Sequence, residues 1–139
     1  MRKIDPATLE IVRGAFIACS NEMGTVLSKT AYNPMVFEVQ DYCIGVIDPQ
    51  GQLIAQNSGG LPIFLADMGV AVQDGIKKFG ISGFEPGDAI IMNAPYVCGQ
   101  HLNNVVVYTP CFVNGELAAF PAVRAHWLDV GGRRVGFGS

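Results

Sequence analysis

The two histidines of the chain, His101 and His126, are its clearest chemical assets. His101 stands three residues before an amide side chain in Gly99-Gln100-His101-Leu102-Asn103-Asn104. His126 stands three residues before a carboxylate in Arg124-Ala125-His126-Trp127-Leu128-Asp129. Two imidazoles with oxygen-bearing side chains close by are the donor types a first-row metal takes. The same two residues would also serve as ordinary histidines of a core or a surface. Around them, Arg124 offers a planar fork for a phosphate or carboxylate, or an ion pair to Asp129 or Glu116. Trp127 offers a face to an aromatic substrate, or a core or interface contact. Cys98 is a nucleophile only with an activating base, and otherwise a buried thiol.

The elements that must position these residues can be read from pattern. Asp5 and Pro6 open a long helix, with Asp5 accepting from the first-turn amides and Pro6 at the first helical position. Apolar residues at Leu9, Val12, Phe16, Cys19, Met23, Val26, Leu27 and Ala31 form its stripe. Gly14 and Gly24 weaken this helix or allow another backbone close, and Asn33-Pro34 ends it. A hairpin follows, 41–47 and 52–56 around Asp48-Pro49-Gln50-Gly51. Met68, Val72, Ile76 and Phe79 mark a second helix, led in by Leu65 and stopped at Gly80. Ala89 to Met92 reads as a buried strand and Val105 to Tyr108 as the next. A second hairpin, 111–113 and 116–123, flanks Asn114-Gly115 and delivers Arg124 and His126. This pattern predicts an α+β fold: a mostly antiparallel sheet with a long N-terminal helix and a second helix packed over it. The last residues, Gly136 to Ser139, bring no closing element, so completion of the fold by a partner chain is expected.

Composition narrows the function. At 139 residues, 50% hydrophobic and only 15% charged, the chain is one region with an apolar surface to cover. Net charge is −3 and mean hydropathy +0.31, with no basic stripe, so nucleic acid is not the expected partner. No ~18-residue apolar run suggests a membrane span, and no apolar core follows Met1-Arg2-Lys3 to suggest a signal peptide; a cytoplasmic location is expected. Cys19, Cys43, Cys98 and Cys111 form no C-x-x-C pair and read as reduced, mostly buried thiols. No G-x-x-x-x-G-K-[ST] motif is present, so ATP is not expected to bind this chain through a P-loop.

Several segments, in order and spacing, resemble the front portion of the hydantoinase B/oxoprolinase family. They are Asp5-Pro6-Ala7-Thr8-Leu9-Glu10, Glu22-Met23-Gly24, Lys29 to Pro34, Asp48 to Gln56, Pro86-Gly87-Asp88, Asn93 to Tyr96, Gly99 to Leu102, Arg124-Ala125-His126 and Asp129 to Gly132. The likeness covers residues 1–139 as one region. It implies an ATP-dependent reaction at a carbonyl or amide, with ATP bound by a hydantoinase A-like partner subunit of a hetero-oligomeric complex. It points first to a subunit of a ketone carboxylase of the acetone or acetophenone type, or a non-catalytic structural subunit of such a complex, and as the alternative to a cyclic-amide hydrolase acting on hydantoins or 5-oxoproline. The ligand positions it implies for a divalent zinc or manganese ion fall on Asp41, His101, Asn104 and His126. Arg124, Asp129 and Trp127 fall beside them, in contact with the ligands or the substrate. Metal-bearing members resemble T-H-L-P-D and R-A-H-H-x-D-[IV]-G-G; here Asn104 replaces the carboxylate, Asn103 the proline and Trp127 the second histidine. An amide is a neutral ligand, so a weaker metal site is expected, with Asp129 available to compensate.

Overall fold

A computed structural model describes residues 4–99 and 101–135. Helix α1 (Pro6–Thr30) starts as its cap predicts, with Asp5 Oδ2 accepting from Thr8 N at 3.1 Å and Pro6 in the first turn. A one-turn helix α2 (Pro34–Phe37) follows, capped by Asn33 Oδ1, which accepts from Met35 N at 3.0 Å. Strands β1 (Tyr42–Ile47) and β2 (Leu53–Gln56) form the expected hairpin. Its turn is held by Asp48 Oδ1, which accepts from Gln50 N at 2.9 Å and Gln52 N at 2.7 Å. Helices α3 (Pro62–Leu65) and α4 (Met68–Phe79) come next, with Gly80 at φ 71° ending α4. A 3-10 turn (Ile81–Gly83) follows, and then the strands β3 (Ile90–Met92), β4 (Asn104–Tyr108), β5 (Cys111–Val113) and β6 (Glu116–His126). Asn114 and Gly115 take φ of 52° and 82°. These are the left-handed conformations that a two-residue hairpin loop requires, and an Asn-Gly pair adopts them readily.

The sheet is antiparallel, in the order β2-β1-β6-β4-β3, with β5 pairing to the start of β6. Strand β6 is its spine, and alternate residues of β6 feed two separate layers. Ala122 and Phe120 join Cys43, Val106, Tyr108, Met68 and Val72 under α4. Val123 and Ala125 join Tyr42, Ile44 and Val36 under Met23, Leu27 and Ala31 of α1 and its exit. The α+β architecture, the long first helix, both hairpins and the second helix therefore stand as expected.

Three expectations need correction. The apolar stripe assigned to α1 is covered only at its C-terminal end; Leu9 and Val12 are 54% and 45% exposed. The helix runs past the edge of the sheet, and its most buried residues are Ser20 and Gly24, where Tyr42 and Asn57 press close. Ala89 to Met92 does not form a buried strand. Strand β3 is the outer strand, and Ile91 is 61% exposed. Of the four cysteines, Cys43 and Cys98 are buried, whereas Cys19 on α1 and Cys111 on the peripheral strand β5 are exposed. The expectation about Gly136 to Ser139 lies outside the described residues.

Candidate metal centre

Three strand ends meet at one corner of the sheet. Asp41 immediately precedes β1, Asn104 opens β4 and His126 closes β6. Antiparallel register sets Asn104 directly across from His126, and His126 N donates to Asp41 O at 3.0 Å. A tight turn then folds His101 back, with Asn104 N donating to His101 O at 3.1 Å. The two imidazole rings lie 4.9 Å apart, centre to centre, at 60°. Segments far apart in sequence thus deliver all four predicted ligand residues to one place.

His126 Nδ1 and Asp41 Oδ2 are 3.7 Å apart, too far for a hydrogen bond. That separation is what two ligands at ~2.0–2.2 Å from a common ion have. Burial lowers the pKa of His126; the Asp41 carboxylate opposes the shift and His101 adds to it. The imidazole is consequently neutral at pH 7, the form that binds metals. Asn104 is 3% exposed, and among the described residues neither its Oδ1 nor its Nδ2 has a hydrogen-bond partner. A buried amide without partners is costly, and a cation would satisfy its oxygen. Among the described residues no group of three or more histidine, cysteine, aspartate or glutamate side chains is placed to hold a metal ion. The donor types fit a divalent ion only with the Asn104 amide included.

The residues expected beside the ligands are divided between the two faces of the sheet. Arg124, two positions before His126 on the same face, is 1% exposed. It pairs with neither Asp129 nor Glu116. Its guanidinium meets Asp67 Oδ1, donates to Phe64 O at 3.5 Å and stacks on the Phe64 ring at 4.6 Å. An Arg already paired in this way is not an open anion clamp. Trp127 and Asp129 lie instead on the α1 side, where they line a mostly apolar cavity of about 490 Å³ with Leu27, Ala31 and Val36. Asp129 Oδ1 accepts from Gly131 N at 2.8 Å and closes the turn after β6. Burial, reinforced by Asp67, pushes the Cys98 thiol up to about 11, so it stays protonated near neutral pH.

Two residues of the corner escape pattern reading. Asp67 occupies the N-cap position of α4 but makes no cap bond. Its Oδ2 accepts from Gly99 N at 2.8 Å, beside the histidine loop. Asn33, recognised only as a helix terminator, also donates through Nδ2 to His126 O at 2.8 Å and ties α2 to the end of β6. An Asp before a helix and an Asn before a proline were the available signals, and both pointed to local caps.

Comparison with known proteins places the chain in a family. The Hydantoinase B/oxoprolinase family model matches residues 5–138. A 5-oxoprolinase of Saccharomyces cerevisiae is 36% identical over 130 residues, covering 93% of this chain and 10% of that protein. The crystal structure of the ATP-dependent caprolactamase from Pseudomonas jessenii superposes with a TM-score of 0.79 at 30% identity, covering 96% of this chain and 23% of that one. A nucleotide-free acetone carboxylase superposes with a TM-score of 0.84 at 20% identity, covering 95% and 17%, a likeness of fold. The chain thus spans about a quarter or less of the length of the proteins it matches. With its fold shared and residues 5–138 matched by the family model, the chain belongs to the hydantoinase B/oxoprolinase family.

Proposed function

We propose that this chain carries the metal-ligand corner of an ATP-dependent enzyme that opens a cyclic amide, with ATP handled by a hydantoinase A-like ATPase subunit. The observation that carries the reading is the convergence of Asp41, His101, Asn104 and His126, whose side chains include a neutral imidazole and an unsatisfied amide. The cyclic-amide class is favoured over ketone carboxylation because relatives of 30% identity or more include a 5-oxoprolinase and a caprolactamase, whereas the likeness to acetone carboxylase is one of fold.

When bound, a zinc or manganese ion would polarise a carbonyl or phosphoryl oxygen. The chain's own residues set the conditions for this. His126 stays neutral by burial, the protonation state a metal ligand needs. Asp41 supplies the one anionic donor, and Asn104 turns a neutral oxygen inward. With a single carboxylate in the set, the site keeps a higher net charge and binds its ion less tightly than a two-carboxylate site. The exposed apolar residues of α1, including Ile11 at 72% and Val26 at 54%, suit a subunit or domain seated on larger neighbours. No helix among the described residues is long and apolar enough to cross a membrane. A cytoplasmic complex is the setting that goes with this reading.

The test is ATP hydrolysis by the complex purified from its native source, with its metal content measured in parallel. Turnover driven by 5-oxoproline, a hydantoin or caprolactam supports the reading. Turnover only with acetone or acetophenone plus bicarbonate moves the chain to the carbon–carbon ligases. Turnover unaffected by His126→Ala would leave the chain a structural subunit.

A further inference from the structure

We propose that Asp67 and Arg124 are positioning residues, a half-buried latch that holds the backbone at Gly99 and thereby sets His101 and Asn104 against the end of β6. The proposal rests on the metal-site reading above. It begins with an anomaly at α4. An Asp at the N-cap ordinarily accepts from the helix's own first-turn amides. Asp67 makes no such bond. Its carboxylate turns away from the helix, with Oδ1 on the Arg124 guanidinium and Oδ2 accepting from Gly99 N at 2.8 Å.

The loop side of the latch is equally close. Gly99 has a φ of +90°, and a Cβ placed there would lie 3.1 Å from Arg124 Nη2 and 3.6 Å from Asn104 Cβ. The loop backbone therefore lies on the guanidinium, against the first residue of β4. Register completes the arrangement: Val106 faces Arg124 and Asn104 faces His126 on adjacent rungs of the same sheet face. The ion pair forms the rung behind, and the donor side chains form the rung in front. Buried ion pairs are poor stabilisers, and a well-packed apolar pair often does as well or better. What an apolar pair lacks is an acceptor for Gly99 N. The Phe64 carbonyl and ring hold the other side of Arg124, so the fork has one orientation available.

The experiment compares paired substitutions in the complex purified with its native partners. Arg124→Met with Asp67→Leu removes both charges together and leaves Gly99 N without its acceptor. Arg124→Met with Asp67→Asn removes the charges but keeps an acceptor. Amide hydrogen exchange and cobalt(II) binding, followed by its visible absorption, are the readouts. The Leu-bearing pair is expected to exchange at least tenfold faster at Gly99 and His101 to Asn104, with β1 and α4 unchanged, and to bind cobalt at least tenfold more weakly. The Asn-bearing pair is expected to restore both. Equal loop exchange in the two pairs, or acceleration spread evenly over the sheet, overturns the latch. If the Leu-bearing pair does not fold, Gly99→Ala attacks the same contact from the loop side with the ion pair intact; unchanged loop exchange there also overturns it. A parent protein that binds no cobalt refutes the metal reading, while the exchange comparison still decides the latch.

Discussion

Replacing Asn104 with leucine separates stability from metal binding at the same position. Both polar atoms of the Asn104 side chain are buried without a hydrogen-bond partner among the described residues. Leaving a buried polar group unsatisfied costs ~1–3 kcal/mol, and an apolar group of similar shape removes that cost. Taking the amide as a single unit gives about 2 kcal/mol of stabilisation for Asn104→Leu in metal-free protein. With 139 residues and an unfolding entropy of ~2.1 cal/mol/K per residue, this corresponds to a rise of about 7 °C in Tm. The assay is differential scanning calorimetry on chelator-treated protein, repeated with added zinc or manganese. The parent should gain stability with metal, and the variant should gain little, because its fourth donor is gone. A variant that melts below the parent without metal refutes the claim that the amide is unsatisfied. A variant that responds to metal as the parent does refutes the claim that Asn104 is a ligand.

Other outcomes follow from the same corner and its supports. Asn104→Asp adds an anionic donor and should raise divalent-ion affinity at least tenfold by isothermal titration; unchanged affinity would place residue 104 outside the coordination sphere. The lowered pKa of His126 makes stability depend on pH with a definite sign. Below the ordinary imidazole value of ~6.5 the unfolded chain takes up a proton that the folded one refuses. Stability from this source is complete above that value and declines as pH falls towards the lower folded pKa, so urea midpoints at pH 7 and pH 5 should differ more in the parent than in His126→Gln. Gly75→Ala should cost about 1–3 kcal/mol by overpacking, because a Cβ there overlaps the hydroxyl of buried Tyr108. Tyr108→Phe should recover much of that loss in thermal melts.

Pattern alone located the strands and both long helices, because capping residues, an Asn-Gly turn and apolar periodicity are local signals. That Asp41, His101, Asn104 and His126 share one corner was legible only as an implication of family likeness; no spacing rule connects residue 41 with residue 126. What stayed hidden was the identity of partners across space. Arg124 was matched with acids near it in sequence, Asp129 and Glu116, whereas β6 carries it under α4 to Asp67. The outer position of β3 was equally hidden, since an apolar run of three or four residues reads the same on an edge as in the centre. Short helices α2 and α3 each begin with proline, a signal of a helix start, but four residues give no periodicity to confirm it.

The alternation of β6 divides the end of this protein by the parity of residue number. Even positions, Arg124 and His126, face Asp67 and the candidate ligand corner; odd positions, Ala125 and Trp127, face the apolar cavity across the sheet. Mutations on opposite sides of one strand share backbone but few side-chain neighbours, so their effects should combine nearly additively. Two functions can therefore diverge independently along a single stretch of gene. A lineage could exchange Trp127 to reshape the cavity while the ligand corner stays fixed, or alter Asn104 to retune the ion while the cavity keeps its shape. For a directed library, even and odd positions of 122–127 could be randomised separately and the best of each combined without a second round of rescue.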